Sequence, residues 1–155
     1  MFALILLVSC LTGCSSDKAQ NGTDENQAVI NENIKIETPY GNLCYPYSFE
    51  EIVKYESKND GDVSSYIFYA ALDGQDIKIY TIAFSGKNLN DAGAVLGTVK
   101  DASGNTVYVY FAPEDEIVND GMTDGQKNTV YAAQETVNDV IASLNNLSTF
   151  TPANN

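Results

Sequence analysis

The chain contains no histidine and no tryptophan, and it has three cysteines, Cys10, Cys14 and Cys44. Without histidine there is no Ser–His or Cys–His relay to activate a nucleophile. Histidine-containing zinc sites are excluded as well. Positive charge is also scarce: 8 Lys+Arg stand against 21 Asp+Glu, a formal net charge of −13. Such a surface repels nucleic-acid phosphates, so no nucleic-acid partner is expected. It equally repels anionic lipid headgroups, which argues against peripheral electrostatic membrane binding. The 155 residues suffice for one domain with a real core.

The first thirteen residues carry no charge, and Met1 to Val8 (MFALILLV) form a short apolar run. Roughly ten apolar residues are too few for a permanent membrane-spanning helix and suit the hydrophobic region of a signal peptide. Leu11-Thr12-Gly13-Cys14 follows and resembles the bacterial lipobox. In that motif small residues admit the peptidase, and the thiol carries a diacylglyceryl group. The resemblance implies a lipoprotein signal peptide over 1–13 and a membrane partner reached through lipid on Cys14. It implies a location on the extracytoplasmic face of a bacterial cell membrane. Each buried acyl methylene contributes about 0.8 kcal/mol, and two or more chains make an anchor stable. No Lys or Arg precedes the apolar run; signal peptides normally begin with one, which points to a start a few residues upstream of Met1.

With Cys10 removed and Cys14 acylated, Cys44 stands alone, so no intramolecular disulfide is expected and the core must hold the fold. Residues 14–33 are polar, with few apolar side chains, and read as a disordered tether. Its root-mean-square span is roughly 25 Å. Ser15-x-x-Lys18 matches a serine–lysine spacing, but a disordered tether offers no scaffold to position the pair.

From Ile34 onward aromatic and β-branched runs begin, and 34–150 reads as one α+β domain, with 151–155 as a tail. Thr38-Pro39-Tyr40-Gly41 is a turn, followed by a short strand at 42–45. Ser48-Phe49-Glu50-Glu51 fits a capping box over a helical turn, while 52–56 alternates like a strand. Val63–Leu72 and Asp76–Phe84 form a hairpin about Asp73-Gly74. Ala94–Lys100 and Thr106–Ala112 form a second one about 101–105. The pattern predicts an antiparallel β-meander of about five or six strands. One long C-terminal amphipathic helix covers it, starting at a Thr123-x-x-Gln126 capping box. Val130, Ala133, Val137, Val140, Ile141 and Leu144 recur at helical spacing, and Asn145-Asn146 offers a left-handed cap.

One helix covers one sheet face. The second face is expected to be aromatic, with Tyr66, Tyr80, Tyr108 and Tyr110. Loops or the segment 34–47 cover it, or it stays exposed to bind a peptide, a glycan, a second subunit or another protein of the envelope. The stretch Thr38 to Leu144 resembles a group of small extracytoplasmic proteins of Firmicutes with no established function. The resemblance rests on Thr38-Pro39-Tyr40-Gly41-Asn42-Leu43, Tyr45-Pro46, and Phe49 followed by Glu50-Glu51. It continues through Leu96-Gly97-Thr98 and Val137-Asn138. Those proteins often have Trp where Phe49 stands. The resemblance implies fold and location and carries no active site.

Asp115, Glu116, Asp120 and Asp124 crowd hard oxygens into one loop, a candidate cation site suited to calcium. The EF-hand spacing is not met, because Ile117 stands where a ligand is required, and Asp124 also suits a helix N-terminus. Cys44 has no basic neighbour in sequence to support a thiolate. No carboxylate pair stands out, and the Gly93 to Gly97 stretch has no phosphate-loop lysine. No cofactor is expected. The reading is a lipid-anchored, noncatalytic binding or accessory module. The alternatives are an envelope enzyme using carboxylates or Cys44, and a calcium-dependent surface domain. Cys14→Ala is expected to abolish incorporation of a labelled fatty acid in cells, and persistent labelling would overturn the lipobox assignment.

Overall fold

The computed structural model describes residues 32–89 and 93–153. The expected signal peptide 1–13, Cys14 and most of the expected tether lie outside the described residues. The fold is α+β, an antiparallel sheet packed by one C-terminal helix. A hairpin of β1 (Asn33–Thr38) and β2 (Gly41–Pro46) comes first. A six-stranded sheet follows, built from β3 (Val53–Asp60), β4 (Val63–Leu72), β5 (Gln75–Ser85), β6 (Ala94–Lys100), β7 (Thr106–Pro113) and the short β8 (Thr151–Pro152). The strand order is β3-β4-β5-β7-β6-β8, so the meander runs through β5 and the next hairpin enters with its second strand innermost. Helix α1 spans Asp124–Ser143.

Local chemistry accounts for most boundaries. Leu72 pairs with Gln75 across Asp73-Gly74, and Gly74 takes φ +79°, open to glycine without cost. Thr123 Oγ1 accepts from the Gln126 amide at 3.2 Å, and the Gln126 side chain accepts from the Thr123 amide at 2.9 Å, a complete capping box. Three local expectations fail. Residues 47–49 form a 3-10 turn after Pro46 with no side-chain cap, because the chain enters it from an extended proline. The helix does not end in a left-handed asparagine. Leu144 stays right-handed, a 3-10 turn follows over Leu144–Asn146, and Asn145 Nδ2 donates to the Ala142 carbonyl at 3.1 Å. Nor is 151–155 merely a tail: Thr151 and Pro152 pair with β6, and the Ala153 amide donates to the Leu96 carbonyl at 2.9 Å.

The core lies on one face of the sheet. Tyr66, Phe68 and Ala70 of β4, Tyr80, Ile82 and Phe84 of β5, Val107 and Val109 of β7, and Val99 of β6 are all buried there. Helix α1 lies against β4 and β5, contributing Val130, Ala133 and Val140. The β1–β2 hairpin packs beside the helix on the same face: Tyr45 meets Phe68 edge-on at 6.4 Å and Tyr40 stacks on Phe84 at 4.9 Å. Segment 34–47 therefore does not cover the second face. Two polar helix residues are buried with the core. Thr136 Oγ1 donates to the Ala133 carbonyl at 2.7 Å, so its contact with Tyr80 at 3.0 Å is accepted from the phenol. Ser143 Oγ donates to the Val140 carbonyl at 2.7 Å and accepts from the Cys44 amide at 2.9 Å, which docks β2 on the helix.

β8 approaches β6 at Gly97, where an added methyl group would run into the Thr151 carbonyl and the Phe150 ring. Gly97→Ala is expected to cost about 1–3 kcal/mol by overpacking and to loosen the last strand. A lowered melting temperature with faster amide exchange at Ala153 checks this.

Candidate functional site

Among the described residues no helix packs on the opposite face of the sheet. Its residues follow from the register: Lys54, Glu56, Lys58 and Asp60 on β3 stand opposite Tyr69, Ile67, Ser65 and Val63 on β4. On β5 the pattern slips. Tyr69 pairs with Lys78 and Phe68 with Tyr80, leaving Ile79 as an extra, bulged residue. Before the bulge odd positions face the core, as with Ile77; beyond it even positions do, as with Tyr80, Ile82 and Phe84. The slip therefore puts Lys78 and Thr81, three positions apart, on the same open face. The Ile79 carbonyl is not left idle, since it accepts from the Glu114 amide at 3.0 Å.

These residues enclose a shallow groove of about 300 Å³, lined by Lys58, Asp60, Val63, Ser65, Ile67, Lys78 and Thr81. Its floor is Ile67 and Val63, and its rim is polar. Lys78 Nζ pairs with Glu114 at 2.5 Å, while Lys58 makes no ion pair among the described residues. Thr81 Oγ1 is buried and has no hydrogen-bond partner. A buried hydroxyl left unpaired costs about 1–3 kcal/mol, so this atom is a local cost borne on the open face. Two ammonium groups on one groove stand out in a chain of net charge −13. The arrangement offers hydrogen bonds, two ammonium groups balanced by the carboxylates of Asp60 and Glu114, and a small apolar floor. Ser65 and Lys58, which stand directly opposite each other in the β3–β4 register, both line the groove.

The four tyrosines expected on this face are divided. Tyr66 and Tyr80 belong to the core face, 6% and 1% exposed. The bulge at Ile79 is the reason for Tyr80, and the pairing with β3 and β5 for Tyr66. Tyr108 and Tyr110 do lie on the open face, opposite Ser85 and Ala83. Tyr110 is nevertheless covered, because residues 87–89 fold over it: its hydroxyl accepts from the Leu89 amide at 2.7 Å and lies 3.1 Å from Asn88 Oδ1. Only Tyr108 remains half-buried beside the open surface. The aromatic binding face is therefore replaced by the mixed polar groove. The phase slip from Ile77 and Ile79 to Tyr80, Ile82 and Phe84 is the sequence signal that locates it.

The acidic residues are not gathered into a cation site. Asp115, Glu116 and Asp120 are exposed along the connection from β7 to α1, with Glu116 at φ +53°, and Asp124 sits in the first helical turn. Among the described residues no group of three or more His, Cys, Asp or Glu is placed to hold a metal ion. Asn119 Oδ1 turns back to accept from the Gly121 amide at 2.9 Å. Cys44 is 5% exposed in β2, on the core side of the sheet and remote from the groove. Among the described residues no helix is long and apolar enough to cross a membrane. Compared with known proteins, the chain matches no family model, no curated sequence and no solved structure.

Burial pushes the Tyr45 hydroxyl up to about 12, with Tyr55 and Glu50 adding to the shift, and burial raises Tyr80 and Tyr66 as well. An unfolded tyrosine ionises near pH 10. Between about pH 10 and 12 the folded chain therefore holds more protons than the unfolded one, and stability falls as pH rises. Urea midpoints across that window are expected to drop steeply. In Tyr45→Phe/Tyr80→Phe the drop is shallower, though the variant starts from a lower stability at neutral pH.

Proposed function

We propose that this chain is a lipid-anchored extracytoplasmic binding module, noncatalytic, which takes an envelope peptide or glycan in the groove on the open sheet face. The observation that carries the binding assignment is the unpartnered Thr81 hydroxyl in a groove rimmed by Lys58 and Lys78. The anchor and location rest on the lipobox at residues 11–14 and on the resemblance of 38–144 to small extracytoplasmic proteins. A tether of the length between Cys14 and β1 would let such a domain meet ligands near the membrane surface. The absence of histidine and the core position of Cys44 favour binding over turnover.

Thr81→Val provides the test, since it keeps the shape and removes the unpaired hydroxyl. The ligand-free protein is expected to gain about 1 kcal/mol of stability. A ligand found by a melting-temperature screen of wall glycans and envelope peptides should bind the variant about tenfold more weakly. Binding untouched by both Thr81→Val and Lys58→Ala would place the site elsewhere.

A further inference from the structure

The outer edge of β3 has no strand beside it among the described residues, and every residue from Lys54 to Asp60 is exposed. A long open edge is a template for another strand, and alternating charge ordinarily guards it. Here the charges have a specific order. We propose that β3 is a self-recognition edge: two copies of the chain pair antiparallel through β3 about a two-fold axis at Ser57, joining two six-stranded sheets into one.

The main-chain polarity allows it. Ile52 lies opposite Ala71, continuing the β3–β4 register, and the Ile52 carbonyl accepts from the Ala71 amide at 2.9 Å. In an antiparallel ladder hydrogen-bonded and non-bonded pairs alternate. Even-numbered residues of β3 therefore spend their amides and carbonyls on β4. The Asp60–Val63 pair that closes the tight turn at Gly61, φ +58°, agrees with this. Val53, Tyr55, Ser57 and Asn59 then point their amides and carbonyls outward. About an axis at Ser57, Ser57 meets its own copy and Tyr55 meets Asn59 of the second copy, all as hydrogen-bonded pairs.

The side chains select that register. With Ser57 on the axis, Lys54 lies opposite Asp60 of the second copy and Glu56 opposite its Lys58. All are non-hydrogen-bonded pairs, where side chains approach most closely. An axis at Glu56 sets Glu56 against itself and Lys54 against Lys58. An axis at Lys58 sets Lys58 against itself and Glu56 against Asp60. An axis at Asn59 opposes Glu56 to Asp62, and one at Tyr55 leaves Asp60 outside the pairing. Only the Ser57 axis matches every charge on the strand. It also shelters Tyr55, which is 44% exposed and leans on Phe68 at 6.4 Å. Lys58 and Asp60 line the groove, so in the pair each groove gains a wall from the second copy.

Two experiments on the full-length chain in detergent solution test the pairing. In a Cys10→Ser/Cys14→Ser background, Ser57→Cys should form a covalent dimer under mild oxidation, whereas Asn59→Cys and the background chain should not. Absence of that dimer, or equal cross-linking at Asn59→Cys, overturns the register. By sedimentation, Lys58→Glu should raise the dimer dissociation constant roughly tenfold or more, because the two-fold axis repeats each like-charge clash. Glu56→Lys/Lys58→Glu should restore it to within about threefold. A dimer indifferent to Lys58→Glu, a swap that restores nothing, or an unaltered chain that stays monomeric at every concentration overturns the proposal. Unchanged circular dichroism of each variant confirms that the fold is intact.

Discussion

The ring of Tyr80 lies on Phe68 at 4.5 Å, nearly parallel, and its hydroxyl donates to Thr136 on the helix. Everything on the covered face is arranged around this contact. Phe68 also receives the edge of Tyr45 from the β1–β2 hairpin, and Tyr80 reaches Phe111 on β7 at 6.0 Å. Two aromatic rings thus join the sheet, the hairpin and the helix into a single core. The buried hydroxyls do not weaken it, because Tyr80 donates to Thr136 and Thr136 passes its own hydrogen to the Ala133 carbonyl. Helix and hairpin both settle on the face that carries these rings, and the other face receives neither.

Tyr80 reaches the core only because β5 bulges at Ile79. A strand with strict alternation would carry Lys78 and Tyr80 on one face. The extra residue separates them, sending the ring inward and leaving the lysine outside with Thr81. Core and groove are therefore two consequences of one backbone irregularity. The groove keeps a cost that the core does not: Thr81 Oγ1 has no partner. Sites that bind often carry such local destabilisation, offset by packing elsewhere.

The two edges of the sheet are treated differently. Beyond β6 the chain returns after the helix, lays Thr151 and Pro152 against it, and covers that edge with Phe150, an approach close enough to require glycine at position 97. At β3 no strand pairs among the described residues, and the order of lysine and carboxylate side chains limits which strands can approach. Surface ion pairs such as Lys54 with Asp76 and Lys87 with Asp62 contribute little to stability in water. Their placement matters more for which strands can approach than for how firmly the domain is folded.

Features set by neighbouring residues were legible in the sequence. The Asp73-Gly74 turn, both sheet hairpins, the Thr123–Gln126 cap and the helix stripe through Val130, Ala133 and Val140 depend on contacts a few positions apart. Periodicity and turn chemistry therefore report them. The polarity of Thr136 and Ser143 hid them from a hydrophobic pattern, since their burial depends on a tyrosine and an amide far away in the chain. The face taken by Tyr66 and Tyr80, the side chosen by the β1–β2 hairpin, the folding of residues 87–89 over Tyr110 and the strand formed at Thr151 were decided by tertiary structure. The groove belongs to this second group. Lys58, Lys78 and Thr81 come from three strands, and a one-residue slip in register decides whether they share a face. Alternation along one strand shows which side chains oppose each other; which side faces the core depends on what packs against the sheet.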